Sequence, residues 1–252
     1  MSGVVVRELA CVEDLRAAET LFTATWPGQP PATAGLLKAL VHAGGYVAGA
    51  YAQGELVGAA AAFLADHGGP ALHSHLAAVP PAARGLGVGL ALKLHQRDWA
   101  AARGLGVVTW TFDPLVRRNA WFNLAKLGAG VGAYLPDFYG PMDDGINDGG
   151  PSDRLLAVWP TTGAASTAGT DPEGAPPVLA EVEGRPVARP LPPSATRLAV
   201  ATPPDVEALR RVDRDLALAW RLAVRDALAP LLGAYEVTGF TRAGSYLLAR
   251  RG

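Results

Sequence analysis

Residues 72–112 read as a strand, a glycine-rich turn, an amphipathic helix and a second strand in immediate succession. That order constrains the fold more than any other feature of the chain. The first strand is Leu72-His73-Ser74-His75-Leu76-Ala77-Ala78-Val79, closed by Pro80-Pro81. Val88 to Arg103 has a helical period, with Leu90, Leu94 and Ala101 expected to face a core and Lys93, Arg97 and Arg103 expected in solvent. Gly104 and Gly106 end the helix, and Val107 to Phe112 is a buried-type strand. Between them lies Arg84-Gly85-Leu86-Gly87-Val88-Gly89. The first amides of a helix have no partner inside it, and the macrodipole makes that end positive. Glycines carry no Cβ to obstruct an approaching anion, and Arg84 adds a charge-assisted contact. The turn therefore predicts a phosphate site. A plain strand-to-helix turn, in a chain with 30 glycines, is the competing reading.

The elements before this unit read as a strand over Val4–Leu9, helices over 12–25 and 33–42, and two strands over 46–52 and 56–63 joined at Gln53-Gly54. After it come a helix from Arg117 to Leu127 and strands over 131–138 and 155–159. Residues 161–177 are rich in Gly, Ala, Ser, Thr and Pro and read as a linker or loop. A second unit follows, with a hairpin over 178–188, a strand over 197–201, one long helix from Thr202 to about Leu228, and a closing hairpin over 235–249. Val206, Leu209, Val212, Leu216, Trp220, Val224 and Leu228 form the expected stripe of that helix. The expected division is 1–160, 161–177 and 178–252.

Half of the 252 residues are hydrophobic and 18% are charged, which suits a folded globule. The net charge of -1 offers no excess of cations for a nucleic-acid backbone. No apolar run approaches the roughly 20 residues of a membrane span, and the first residues do not read as a signal peptide. Cys11 is the only cysteine, so no internal disulfide is expected. A cytoplasmic protein is expected.

Two other phosphate folds are excluded by sequence. A P-loop needs Gly-Lys-Ser/Thr, which is lacking here. A dinucleotide turn needs a small residue three places after its second glycine, where this chain has Leu90 or Leu92. Arg84, Gly87 and Gly89 instead match the signature Arg/Gln-x-x-Gly-x-Gly/Ala that follows a strand in the GNAT superfamily, and the chain resembles that superfamily from Val4 to Trp159. The resemblance implies an α/β (α+β) fold with a mixed, twisted sheet whose fourth and fifth strands splay apart. It implies acetyl-CoA or another acyl-CoA as cosubstrate, with the pantetheine arm in the splay beside Ala77, Ala78 and Val79. The diphosphate would lie on Arg84, Gly85, Leu86, Gly87, Val88 and Gly89. Asn119, with Phe122 on the same helix, matches the position that similar proteins place near the pantetheine. Phe112-Asp113-Pro114-Leu115, the stretch 119–128, Tyr139-Gly140-Pro141-Met142-Asp143-Asp144 and Ser152-Asp153-Arg154 further resemble a subgroup of GNAT proteins whose substrate is unassigned. That narrower likeness extends through residues 178–252, a C-terminal αβ extension native to the group.

Acyl transfer to an amine needs a proton acceptor, oxyanion stabilisation and an acid for the thiolate. His73, His75, Ala77 and Val79 share one face of an ideal strand, and His73-x-His75-x-x-x-Val79 resembles the paired histidines of arylalkylamine N-acetyltransferases. His75 is the first candidate base and His73 the second. Hydrogen-bonded strand histidines without a chemical role are the alternative. Many GNAT enzymes carry an acidic Tyr on the helix after Asn119, but no Tyr lies between Asn119 and Gly128. Tyr134 and Tyr139 are the candidate substitutes. Asp113 is expected to orient an amine or cap a turn. Asp143, Asp144, Asn147, Asp148 and Asp153 are expected in solvated turns, with a cationic acceptor or a metal as alternatives. Arg221 and Arg225 are expected on a salt-bridged or exposed face. The function expected is N-acyl transfer to an amine of a small molecule or peptide. The alternative is a non-catalytic acyl-CoA sensor or an interaction protein. Three roles are open to the C-terminal unit: a pocket wall, a homodimer contact, or cover for a sheet edge.

Overall fold

The computed structural model describes residues 3–26, 31–140, 150–163 and 173–252. It divides into two compact units, residues 1–110 with 160–163, and residues 111–159 with 164–252.

In the first unit β1 (Val5–Glu8), α1 (Val12–Thr25) and α2 (Ala34–His42) precede β2 (Tyr46–Ala52), β3 (Glu55–Asp66) and β4 (Pro70–Ala78). Thr33 begins α2 by accepting a hydrogen bond from the Leu36 amide. Gln53 and Gly54, both at positive φ, make the tight turn from β2 to β3. After a 3-10 turn at Pro81–Ala83 come α3 (Val88–Ala102) and β5 (Val107–Phe112). The sheet runs β1-β2-β3-β4-β5. Its first four strands are antiparallel neighbours, and β5 lies parallel to β4, so the sheet is mixed.

One core joins Leu15, Ala18, Leu21 and Phe22 of α1 and Leu37 of α2 to Leu76 and Ala78 of β4. Helix α3 packs close to the sheet at Gly58, where a Cβ would fall 2.5 Å from Val88 Cγ1. The inner face of α3 carries Val88, Leu92, Lys93, Gln96, Trp99 and Ala100. This corrects the sequence expectation. Lys93 is buried rather than solvated, and Leu94 is exposed. Two polar residues point inward, so apolar spacing alone selects the wrong stripe.

In the second unit α4 (Arg117–Ala120) continues into a π-turn at Trp121–Lys126. An antiparallel pair, β6 (Gly130–Leu135) and β7 (Arg154–Pro160), follows. A five-stranded sheet is built from β8 (Pro177–Val182), β9 (Arg185–Ala188), β10 (Arg197–Ala201), β11 (Tyr235–Phe240) and β12 (Ser245–Arg250), in the order β11-β12-β10-β8-β9. The expected long helix is two helices, α5 (Val206–Val212) and α6 (Arg214–Leu228). Asp213 breaks it with an extended backbone and caps α6 by accepting from the Leu216 amide at 2.9 Å. A short acidic side chain competes for backbone amides in this way. The expected stripe fails accordingly at Val212, which is 81% exposed.

The buried Asp113 carboxylate ties α5 and α6 to the end of β5. Arg210 donates to Oδ2 at 2.6 Å, and Arg221 donates to both oxygens at 2.8 Å. Burial pushes this carboxyl up, but the Arg221 and Arg210 guanidiniums outweigh it and hold the group well below the usual carboxylate range. Removing one partner of such a cluster strands the others' charge. Asp113→Asn is therefore expected to destabilise the protein by about 3–5 kcal/mol in urea unfolding. A loss below about 1 kcal/mol, the scale of an exposed pair, would show that the guanidiniums do not depend on it.

Candidate active site

Strands β4 and β5 pair over three residues only, Ala71 with Val107, Leu72 with Val108 and His73 with Thr109. Beyond them, residues 74–78 of β4 have no β5 partner, so one side of their backbone is open to an extended ligand. This is the splay that the resemblance implied. Ala77 and Ala78 pair with Ala60 and Ala59 on the β3 side alone.

A bulge sits at the mouth of the splay. Ala62 stands opposite Ser74 and Ala61 opposite Leu76, leaving His75 without a partner on β3. Bulges re-aim side chains, and this one interrupts the expected alternation. Ser74 turns toward α3, where its hydroxyl lies 2.8 Å from Lys93 Nζ, whereas Leu76 and Ala78 pack with α1 and α2. Ala77 and Val79 therefore do not continue the face of His73. The two histidines do stay together, with the Phe63 ring 5.2 Å from His73 and 5.7 Å from His75 between centroids.

His73 Nδ1 is 3.0 Å from the hydroxyl of the buried Thr109, which also lies 3.1 Å from Nε2 of His67. Burial first, and then neighbouring His75, His67 and Lys93, lowers the His73 pKa to about 4. His75 is exposed at the surface, and partial desolvation lowers its pKa as well. Both imidazoles are thus neutral at pH 7 and able to accept a proton.

The turn after β4 leads from Val79 and Pro80 through the 3-10 turn to Arg84, Gly85, Leu86 and Gly87, and these last four are exposed. Gly85 has φ +85° and Gly87 φ +78°, a region in which L side chains are strained, and a Cβ at either would meet open space. Gly87 caps α3 with no side-chain hydrogen bond. The amides of Gly85, Gly87, Val88, Gly89 and Leu90 find no backbone acceptor among the described residues. The start of this 15-residue helix, with Arg84 beside it, thus presents unsatisfied amides and a cation to solvent.

On the other side of the sheet plane, Lys93 Nζ lies 3.7 Å from the Trp110 ring centroid and donates to Ser74 Oγ. Burial lowers its pKa to about 7. Gln96, one turn along α3, is 1% exposed, and neither of its amide atoms has a partner. Sequence reading missed Lys93, Ser74, Thr109 and His67. A helical wheel through Leu92, Trp99 and Ala100 would have found Lys93 and Gln96. Nothing local marks His67 or the bulge.

In the second unit Asn119 and Phe122 are half-buried on consecutive turns of the α4 segment. Tyr134 donates to Asp153 Oδ2 at 2.6 Å, and burial with that carboxylate raises its phenol far above its usual value. Tyr139 is 42% exposed, with its hydroxyl 3.1 Å from Thr111 Oγ1. Asp113, already held by Arg210 and Arg221, has no oxygen left to orient an amine. It also accepts from the Leu115 amide, which is the expected turn cap. Asp153 is fully buried rather than solvated, bound by Tyr134, Arg225 and the Asp137 amide. Arg221 and Arg225 therefore both carry salt bridges, as expected. Asp143, Asp144, Asn147 and Asp148 lie outside the described residues. No group of acidic, His or Cys side chains fit for a metal occurs among the described residues, and no described helix is long and apolar enough to cross a membrane.

Residues 12–128 match the model of the acetyltransferase (GNAT) family. Among solved structures, an N-acetyltransferase from Staphylococcus aureus Mu50 superposes with a TM-score of 0.53 at 15% identity, covering 64% of this chain and 100% of its own. The yncA protein of Salmonella typhimurium, solved with acetyl-CoA, superposes at 0.52 with 18% identity, covering 66% and 98%. Naa50 of Arabidopsis thaliana, solved with a bisubstrate analogue of CoA and a peptide, superposes at 0.50 with 18% identity, covering 63% and 98%. No curated protein matches this sequence.

The His73 environment has a measurable consequence. Folding lowers its proton affinity, so protonation favours the unfolded chain. The stability tied to His73 is complete above about pH 6.5 and is lost as pH falls toward about 4. An NMR titration of the His73 ring is expected to show a midpoint near 4. A midpoint at 6.5 or above would refute its enclosure by Thr109 and Phe63.

Proposed function

We propose that this chain transfers an acyl group from acetyl-CoA or another acyl-CoA to an amine of a small molecule or peptide, in the cytoplasm. The observation that carries the reading is the splay of β4 from β5, which leads straight to the exposed, uncapped glycine turn of α3. Residues 1–160 supply the acyl-CoA-binding part, and residues 178–252 are an extension to it. The amides of 85–90 and Arg84 hold the diphosphate. The backbone of Ala77, Ala78 and Val79 pairs with the amides of the pantetheine as an added strand would.

Attack by the amine places negative charge on the thioester oxygen, next to the bulge in β4. His75, with His73 behind it, accepts the ammonium proton. Of the two tyrosines considered for the leaving thiolate, Tyr134 already spends its proton on Asp153. Tyr139 keeps its hydroxyl on Thr111. A sensor that binds acyl-CoA without transfer is the second reading. It is favoured by Leu124, buried on the segment where related enzymes carry a tyrosine.

Acetyl-CoA is expected to raise the melting temperature, and NAD is not. Gly87→Glu and Arg84→Glu bring a negative charge to the diphosphate and should each weaken acetyl-CoA binding about 100-fold or more in calorimetry. Unchanged affinity in both variants would end the assignment. Transfer to any member of an amine panel, followed by thiol release, should fall about 100-fold or more in His75→Ala. Binding without transfer to any amine would favour the sensor.

A further inference from the structure

Lys93 is a buried cation that neither the fold nor the proposed binding roles require. Its side chain is 6% exposed and makes no ion pair with a carboxylate among the described residues. It meets the Ser74 hydroxyl at 2.8 Å and the face of Trp110 at 3.7 Å. An ammonium has three N–H donors, so one hydroxyl leaves it under-satisfied, and Gln96 beside it is buried with no partner at all. Burying an unpaired charge is costly, and such groups cluster where chemistry uses them.

The position is specific. His73 and Thr109 are the last paired residues of β4 and β5, and Ser74 and Trp110 are the next residue on each strand. Lys93 touches both. Its ammonium therefore sits directly at the apex of the splay, on the α3 side, while His73 and His75 gather around Phe63. Base and cation lie near the same apex but in separate environments.

We infer that Lys93, acting through the Ser74 hydroxyl, receives the coenzyme A sulfur as it departs. This rests on the acyl-CoA reading above, which puts the thioester at that apex. The amine lone pair forms the C–N bond, and the C–S bond breaks with its electron pair on sulfur. The Ser74 hydroxyl hydrogen passes to the sulfur as Lys93 Nζ passes a proton to Ser74 Oγ. The products are the amide, the coenzyme A thiol and a neutral Lys93, which regains its proton from water. The proton lost by the amine leaves through His75. Burial supports this role: an amine with a pKa near 7 gives up a proton far more readily than an ordinary lysine. In this scheme Ser74 meets the sulfur and Lys93 is a positioning residue that acts through it.

The first measurement needs no acceptor amine. Bound coenzyme A is titrated through the ultraviolet absorbance of its thiolate, with desulfo-coenzyme A on the same protein as background. Thiolate and ammonium are expected to titrate as a coupled pair, each holding the other charged, so that the bound thiolate appears about one unit or more below the pKa of free coenzyme A. Lys93→Met should abolish that shift. Lys93→Arg, a cation that holds its proton, should keep the shift but not restore turnover. Ser74→Ala leaves the helix untouched and should slow thiol release in any productive assay about 100-fold or more. If wild-type protein binds coenzyme A with an unshifted thiol, or if Lys93→Met leaves the shift in place, the assignment of Lys93 is overturned and the acyl-CoA site stands. If coenzyme A does not bind at all, both readings fall.

Discussion

The separation of two parallel strands after three paired residues governs the first unit. Hydrogen bonding between β4 and β5 ends at His73 and Thr109. Backbone groups inside a fold must find partners, so a strand that loses its neighbour exposes a row of donors and acceptors to whatever can lie beside it. The other features of the site refer to this parting. The bulge at His75 marks its mouth, the glycine turn lies at the end of the open strand, and α3 runs beneath it. An arm carrying its own amides, tethered to an anion, matches such a gap in chemistry.

The same parting explains why polar residues gather in an alanine-rich sheet. Ser74, Thr109, Lys93 and Gln96 are all buried. A stretch of core holding only apolar side chains would pack more simply and at lower electrostatic cost. Here the bulge turns Ser74 toward α3, and α3 offers a lysine to it. On the opposite face, Thr109 links His73 and His67 into a chain of hydrogen-bonding groups. Two polar environments thus flank one opening, and burial keeps both the imidazole of His73 and the amine of Lys93 less basic than in water.

The second unit is organised around two buried carboxylates. Asp113 binds Arg210 and Arg221, and Asp153 binds Arg225 and Tyr134. The arginines come from α5 and α6, the two helices separated by the Asp213 cap. A single straight helix would carry its side chains on one fixed spiral, whereas the break lets Arg210 and Arg221 converge on one carboxylate. The acidic residues that looked most available for chemistry in the sequence are, in these two cases, structural.

The sequence alone determined the strands and most helices, because hydrophobic period, turn residues and glycine punctuation are local quantities. The limits of α1, β2, β5 and β10 follow directly from it. The exposed glycine turn was legible too, since its open amides need only glycines and a helix start. Tertiary structure decided which side of a helix became the inside. Lys93 and Gln96 look solvated beside Leu90 and Leu94, and only the docking of α3 on Gly58 and β4 turns them inward. It also decided the bulge at His75, which depends on register against β3, and the pairing of Asp113 with arginines some hundred residues away. These are contacts between distant segments, and no local period encodes them.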